Sequence, residues 1–317
     1  MHRLFLILVF ALGSFVGQTV HGQALISDNF ETDTSANYAV VSDNPANGSV
    51  TFAFDYVTAG IPLAPRSVSG DTSGLKLAVN TSLTAVNSQT VFNSTAVTAA
   101  QYRMLVDVFM AYQGATATTI YAEPGVGGDG TTYNSVFSPI SGSGSFMAFT
   151  GDGGSSSDYR WYLSSANGGA TTVPNTDPSY LGHGSNGSGA FYQSLFPNPP
   201  STAAGSPGNI WTTVAIDVDN VAGRITYSMT DTAGNSQLIF DNSPNPLSPT
   251  PFTGLLQGLV SLGATDAFTS LSPASVFVVY DNLEVSAVPE PSTAAAIGFG
   301  GLMALSVRRR VGRHRRS

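Results

Sequence analysis

Asp217 and Asp219 stand two apart in WTTVAIDVD, so in a strand their side chains share one face. Two carboxylates so placed could hold calcium or work as an acid pair. The same geometry serves a solvent face and a turn cap, because Val214, Ile216 and Val218 would supply the opposite, core-facing side. Sugar hydrolysis needs two carboxyl groups about 5–10 Å apart across the substrate. The body offers only Glu31, Glu123 and Glu284 besides its aspartates, and no Glu-x-Asp-x-x-Glu strand signature. A Ser-His-Asp mechanism needs a positioned imidazole. His183, in LGHGSNGSG, is the one histidine between residues 25 and 287. There is no cysteine, hence no thiol nucleophile, disulfide framework or cysteine metal site. No catalytic residue is assigned, and no cofactor. Calcium is the metal to consider, through the oxygen-rich turns GGDG (127–130), GDGG (151–154) and DVDN (217–220), although turn chemistry alone accounts for them.

Aromatic rings are the other chemistry on offer. Tyr159 and Trp161 alternate along one face of DYRWYL, with Arg160 and Tyr162 on the other. Flat rings give large apolar area at low entropy cost, so Tyr159 and Trp161 form the candidate ligand surface for a polysaccharide. Core packing is the competing use of the same pair. Residues 25–287 carry 5 basic and 19 acidic side chains, a net charge of −14, which repels phosphate and excludes nucleic acid as a partner.

The elements that would position these residues read as strands. VTFAFDYV (50–57) places Val50, Phe52, Phe54 and Tyr56 on one face, and YRMLVDVFMAY (102–112) does the same for Tyr102, Met104, Val106, Val108, Met110 and Tyr112. SFMAFT (145–150), DYRWYL (158–163), WTTVAIDV (211–218), RITYSMT (224–230), QLIF (237–240) and SVFVVYDNLEV (275–285) follow the same pattern. WTTVAIDVDNVAGRITYSMTD predicts a hairpin with Ile225, Tyr227 and Met229 lining the second strand. Gly, Asn, Asp, Ser and Pro clusters separate the strands, and no amphipathic helix is evident in the body. Residues 80–98, biased in Asn, Ser and Thr, predict a polar sheet edge or loop. Residues 167–209 predict a long functional or partly disordered loop carrying Tyr180, His183, Phe191, Tyr192 and Phe196. The expected class is all-β, an antiparallel β-sandwich of one domain.

The two ends differ from this acidic body. His2 and Arg3, an apolar run from Leu4 to Leu12 and a small-residue exit at Gly22 or Ala24 predict a signal helix, a secretory signal peptide over 1–24. At the other end, VPEPSTAAAIGFGGLMALSVRRRVGRHRRS combines Pro289-Glu290-Pro291, an apolar run over 294–307 and arginines at 308–310, 313, 315 and 316. As a helix the run spans about 21 Å, short of the ~30 Å hydrocarbon core. Arg308, Arg309 and Arg310 would anchor its cytoplasmic end.

That three-part tail resembles the PEP-CTERM protein-sorting signal. The resemblance implies transient inner-membrane anchoring by the short C-terminal apolar helix, recognition and cleavage near Pro289-Glu290-Pro291 by an exosortase-type processing enzyme, and delivery to the cell surface or extracellular matrix, with exopolysaccharide as a possible partner. The early DNFE (28–31), the 211–231 hairpin and the closing YDNLEV (280–285) resemble the concanavalin A-like lectin/glucanase jelly roll. The expected organisation is therefore a signal peptide (1–24), a β-sandwich (25–287) and a sorting signal (288–317). Three functions follow: an exported, non-catalytic surface or matrix protein; a carbohydrate-binding lectin-like module, with or without calcium; and, on fold analogy alone, a polysaccharide hydrolase or lyase. The first is the reading adopted from sequence.

Overall fold

Period-two alternation builds the molecule strand by strand. The computed structural model describes residues 22–82, 86–112, 119–137, 139–155, 158–164, 170–182, 189–200, 203–243, 256–268 and 274–288, and among them are fifteen strands. They are β1 (Ala24–Asp28), β2 (Tyr38–Ser42), β3 (Gly48–Asp55), β4 (Ser73–Val79), β5 (Asn87–Asn93), β6 (Gln101–Ala111), β7 (Ile120–Gly128) and β8 (Ser145–Thr150). After these come β9 (Tyr159–Ser164), β10 (Ala170–Thr172), β11 (Trp211–Asp219), β12 (Arg224–Thr230), β13 (Ser236–Asp241), β14 (Leu259–Asp266) and β15 (Phe277–Ala287). A single four-residue helix, α1 (Ala190–Gln193), precedes β11.

The strands form two antiparallel sheets. Sheet A runs β13-β12-β11-β6-β15-β4-β3, with β1 paired to the end of β15; sheet B runs β10-β9-β8-β7-β14-β5-β2. The antiparallel β-sandwich expected from the sequence is what this pairing shows. Between the sheets lies one core. Sheet A contributes Tyr102, Met104, Val106, Val108 and Met110 of β6, and sheet B contributes Ala122, Val126, Met147 and Trp161. Each fully buried large side chain contributes roughly 1.5–3 kcal/mol.

Both sheets are also covered on part of their outer faces. Residues 56–72 lie over sheet A, where Tyr56, Ile61 and Ala64 pack on Phe109, Trp211 and Phe277. Residues 129–143 lie over sheet B, where Val136 packs on Tyr121, Phe146 and Tyr162. The structure departs from the sequence reading in three places. Val50 and Phe52 of β3 face the main core, but Phe54 and Tyr56 face the strap side. A β-bulge between Thr51 and Phe54, with Ala53 at φ 51°, switches the face. The Asn/Ser/Thr-rich 80–98 segment is no edge in its described part: β5 sits between β14 and β2 and is buried throughout, with Ser88 and Thr90 bonded to Ser135 and Asn134 of the strap.

The third departure concerns residues 167–209. Tyr180, Tyr192, Leu195 and Phe196 are core residues, so the described part of that segment closes one side of the sandwich. His183 lies outside the described residues.

Candidate functional site

Tyr159 and Trp161 are not a ligand surface. They are 3 % and 0 % exposed, because the face they share points at sheet A and is closed by the 170–200 segment. The Tyr159 ring stacks on Tyr192 at 3.9 Å, and Trp161 Nε1 donates to Ser145 Oγ at 2.9 Å. On the opposite face Tyr162 stacks on Phe146 at 4.7 Å beneath the 129–143 strap.

Asp217 and Asp219 do share a face, and both are already engaged. Asp217 holds Arg103 in a two-point ion pair, with Nη2 donating to Oδ2 at 2.8 Å. Asp219 Oδ1 accepts the backbone N–H of Val221 (2.9 Å) and Ala222 (2.8 Å), and its Oδ2 accepts from Gln101. Solvent face and turn cap are therefore the roles observed. The oxygens of Asp129 likewise accept from Thr131 and Thr132, which is turn chemistry. Among the described residues no group of three or more His, Asp or Glu is placed to hold a metal ion.

The chemically unusual carboxyl groups are ones the sequence did not single out as a site. Asp107 of β6 and Asp281 of β15 are opposite one another in register, and both are fully buried under the 56–72 strap. Asp107 Oδ1 accepts from Arg66 Nε (3.1 Å) and Thr213 Oγ1 (2.6 Å). Its Oδ2 accepts from the Arg66 backbone (3.1 Å) and Asn282 Nδ2 (3.1 Å). Asp281 accepts from the Tyr56 hydroxyl (3.0 Å), Ser67 Oγ (3.3 Å) and the Asn282 backbone (2.7 Å). Burial pushes the Asp281 carboxyl up to about 7, and the neighbouring Asp107 charge adds to the effect. Arg66 also bonds the Asn282 carbonyl. The network pins the strap to the sheet, together with Trp211 Nε1, which donates to the Pro62 carbonyl at 2.6 Å.

DNFE and YDNLEV meet beside this network. Asp28 pairs with Leu283, and a polar cleft of about 520 Å³ opens between them, lined by Asp28, Asn29, Arg66, Asp71 and Asn282. Asp28 is committed to the Phe30 backbone and the Tyr38 hydroxyl, and Glu31 to the backbones of Thr72 and Ser73.

A second buried carboxyl, Glu123 of β7, lies under the 129–143 strap. Oε1 accepts from Thr265 Oγ1 at 2.7 Å; Oε2 has no hydrogen-bond partner. Burial pushes Glu123 up to about 8, so it is neutral at pH 7. Thr265 and Ser88 share a bond at 2.9 Å, and Ser88 donates to Ser135 of the strap at 2.8 Å. Gly263 makes room for the carboxyl: a Cβ there would stand 2.9 Å from Glu123 Oε2. Glu123 thus joins β7 to β14 through Thr265, and Ser88 carries the contact on to Ser135 of the strap.

The remaining site is where the chain leaves the fold. The Ala287 N–H donates to the Gln23 carbonyl, and the Val288 N–H to the Gln101 carbonyl, both at 2.9 Å. Gln101, Asp217, Asp219, Arg224 and Val288 border a cleft of about 310 Å³ there. Pro289, Glu290, Pro291 and the arginine tail lie outside the described residues, as do residues 1–21, where the sequence predicts a signal peptide. Among the described residues no helix is long and apolar enough to cross a membrane.

Comparison with known proteins adds the following. Residues 287–310 match the PEP-CTERM protein-sorting motif, which takes in Pro289, Glu290, Pro291 and Arg308, Arg309 and Arg310. No curated protein matches the chain. Among solved structures, lectin I-B4 from Griffonia simplicifolia in its metal-free form is 11 % identical at TM-score 0.41, covering 82 % of this chain and 98 % of that one. The Ca²⁺-bound exoplasmic/lumenal domain of VIP36 is 12 % identical at 0.43, covering 84 % and 90 %. The T. cruzi calreticulin globular domain is 9 % identical at 0.40, covering 91 % and 100 %. At TM-scores below 0.5 these likenesses carry nothing about ligand or activity. The sorting motif implies export, sorting to the surface and processing by an exosortase-type enzyme.

Proposed function

We propose that the chain is an exported surface or extracellular-matrix protein whose β-sandwich is a non-catalytic structural body, held at the inner membrane by its C-terminal apolar segment until an exosortase-type enzyme releases it. One observation carries this reading: the sorting-motif match begins at Ala287, the last residue of the last strand. Body and address label are thus joined without a linker. The side chains that sequence offered for chemistry support a structural body. Tyr159 and Trp161 pack the core, Asp217 joins β11 to β6 through Arg103, Asp219 caps the hairpin turn, and Glu123 joins β7 to β14 through Thr265; Asp107 and Asp281, which the sequence did not offer, tie a strap to sheet A.

Carbohydrate binding is the alternative, with the 520 Å³ cleft at Asp28, Arg66 and Asn282 as the surface to examine. The test uses protein recovered from the host surface, incubated with a polysaccharide panel that includes the host's matrix, with and without calcium. Neither retention nor released sugar is the expected result. Retention without release would make the body a binding module, and sugar release would make it an enzyme.

A further inference from the structure

Ala287 and Val288 belong to two things at once. They are the first two residues of the sorting-motif match, and among the described residues the last two, both hydrogen-bonded to the sandwich. Ala287 pairs with Tyr102 of β6 on one side, and its N–H is taken by Gln23 on the other. Val288 is tied to Gln101. Just upstream, Val285 and Leu283 are buried in the main core, and Ser286 is paired on both flanks, with Ala24 of β1 and Arg103 of β6. The strand that leads into Pro289 is therefore a central strand up to its final residue. β4 flanks β15 at Val278–Tyr280, and over the C-terminal half, Leu283–Ser286, β1 takes its place as the second neighbour.

A peptidase takes its substrate in extended form, along several residues and with backbone groups unpaired. Backbone that is hydrogen-bonded on both sides is closed to it until it opens locally. We infer that the sandwich and the sorting machinery compete for Ala287 and Val288, so that opening of the β1–β15–β6 end gates the processing of this chain. β1 is the latch: its pairing with β15 sets how often the motif's first residues come free. This rests on the sorting reading above. Where opening and closing are fast relative to cleavage, processing tracks the open population.

The experiment uses the full chain in its native host, following conversion to the processed form by pulse-chase and intact mass. One variant carries a flexible Gly-Ser spacer of about ten residues between Val288 and Pro289, which removes the competition. A second carries Arg103→Cys with Ser286→Cys. These residues are opposite in register, at a separation that a disulfide spans, in a chain with no other cysteine. The expected result is processing at least roughly threefold faster with the spacer, and at least roughly threefold slower with the cross-link, restored by reductant. Equal rates in all three chains would overturn the gate. Slower processing with the spacer would do so as well, since it would mean that the enzyme needs the folded end beside the motif. A parent chain that is never shortened would sink the sorting reading itself, and the gate with it.

Discussion

Asp107 and Asp281 face each other across β6 and β15, buried together, and only Asp107 is bonded to the Arg66 side chain. Burial raises the Asp281 carboxyl to about 7. In the unfolded chain the same group ionises near about 4. The folded state thus binds the proton more tightly, and stability contributed by protonated Asp281 is lost as pH rises from about 4 through 7. Thermal unfolding from pH 5 to 8.5 should show a falling Tm in the parent and a flatter profile in Asp281→Asn. The gap at pH 8 should be on the order of 2 kcal/mol in favour of the variant. Parallel profiles would count against this assignment.

Glu123 predicts a contrast between two substitutions. Glu123→Gln keeps an acceptor for Thr265 and removes the titration, so urea unfolding at pH 7 should change by less than about 1 kcal/mol. Glu123→Ala leaves a cavity under the strap and strands Thr265, and should cost about 2–4 kcal/mol. A Gln variant as damaged as the Ala variant would show that ionised Glu123 is needed.

Trp161 separates core from ligand surface. Trp161→Phe loses the bond to Ser145 and part of the packing on Phe240 and Tyr227, a cost of roughly 1–3 kcal/mol in chemical denaturation. A solvent-facing platform residue would leave stability within about ±0.5 kcal/mol.

Asp219 predicts calcium independence at the hairpin. Its oxygens are occupied by Val221, Ala222 and Gln101. Asp219→Ala should cost about 1 kcal/mol through the lost turn cap. Chelator or added calcium should leave the Tm of parent and variant alike unmoved. A calcium-dependent rise seen only in the parent would reinstate the metal reading.

Where a strand has one face in the core and ordinary residues on the other, the sequence pattern marked it closely. The bounds of RITYSMT coincide with β12, and Val214, Ile216 and Val218 line the core as their alternation implies. β5 and β7 escaped for a tertiary reason. The Asn and Ser of NSQTVFN and the Pro-Gly of IYAEPGVGG read as breakers, but the 129–143 strap, next to β7 in the chain and about 40 residues beyond β5, covers their outer face and supplies partners, as Asn134 does for Thr90. Propensity has no access to such a cover. The aromatic site failed for a related reason. Period two reveals that Tyr159 and Trp161 share a face, but which face meets the other sheet depends on pairings distant in sequence. Asp107 and Asp281, 174 positions apart, are brought together only by the β6–β15 register.

The first and last described residues converge at one pole. Gln23 and Val288 leave the sandwich beside the Asp219–Arg224 turn, whereas the Asp231–Asn235 turn caps the same hairpin strands at the other extremity. Gly234 there has φ +86° and open space around it. A body tethered at its exit pole would turn this far turn outward. An epitope or enzyme grafted at Ala233–Gly234 would be shown to the exterior, and one fused at Gln23 would be pressed against the lipid. The fold is polarised in the manner of a display stand, with its foot where the strands end and its platform a strand's length away.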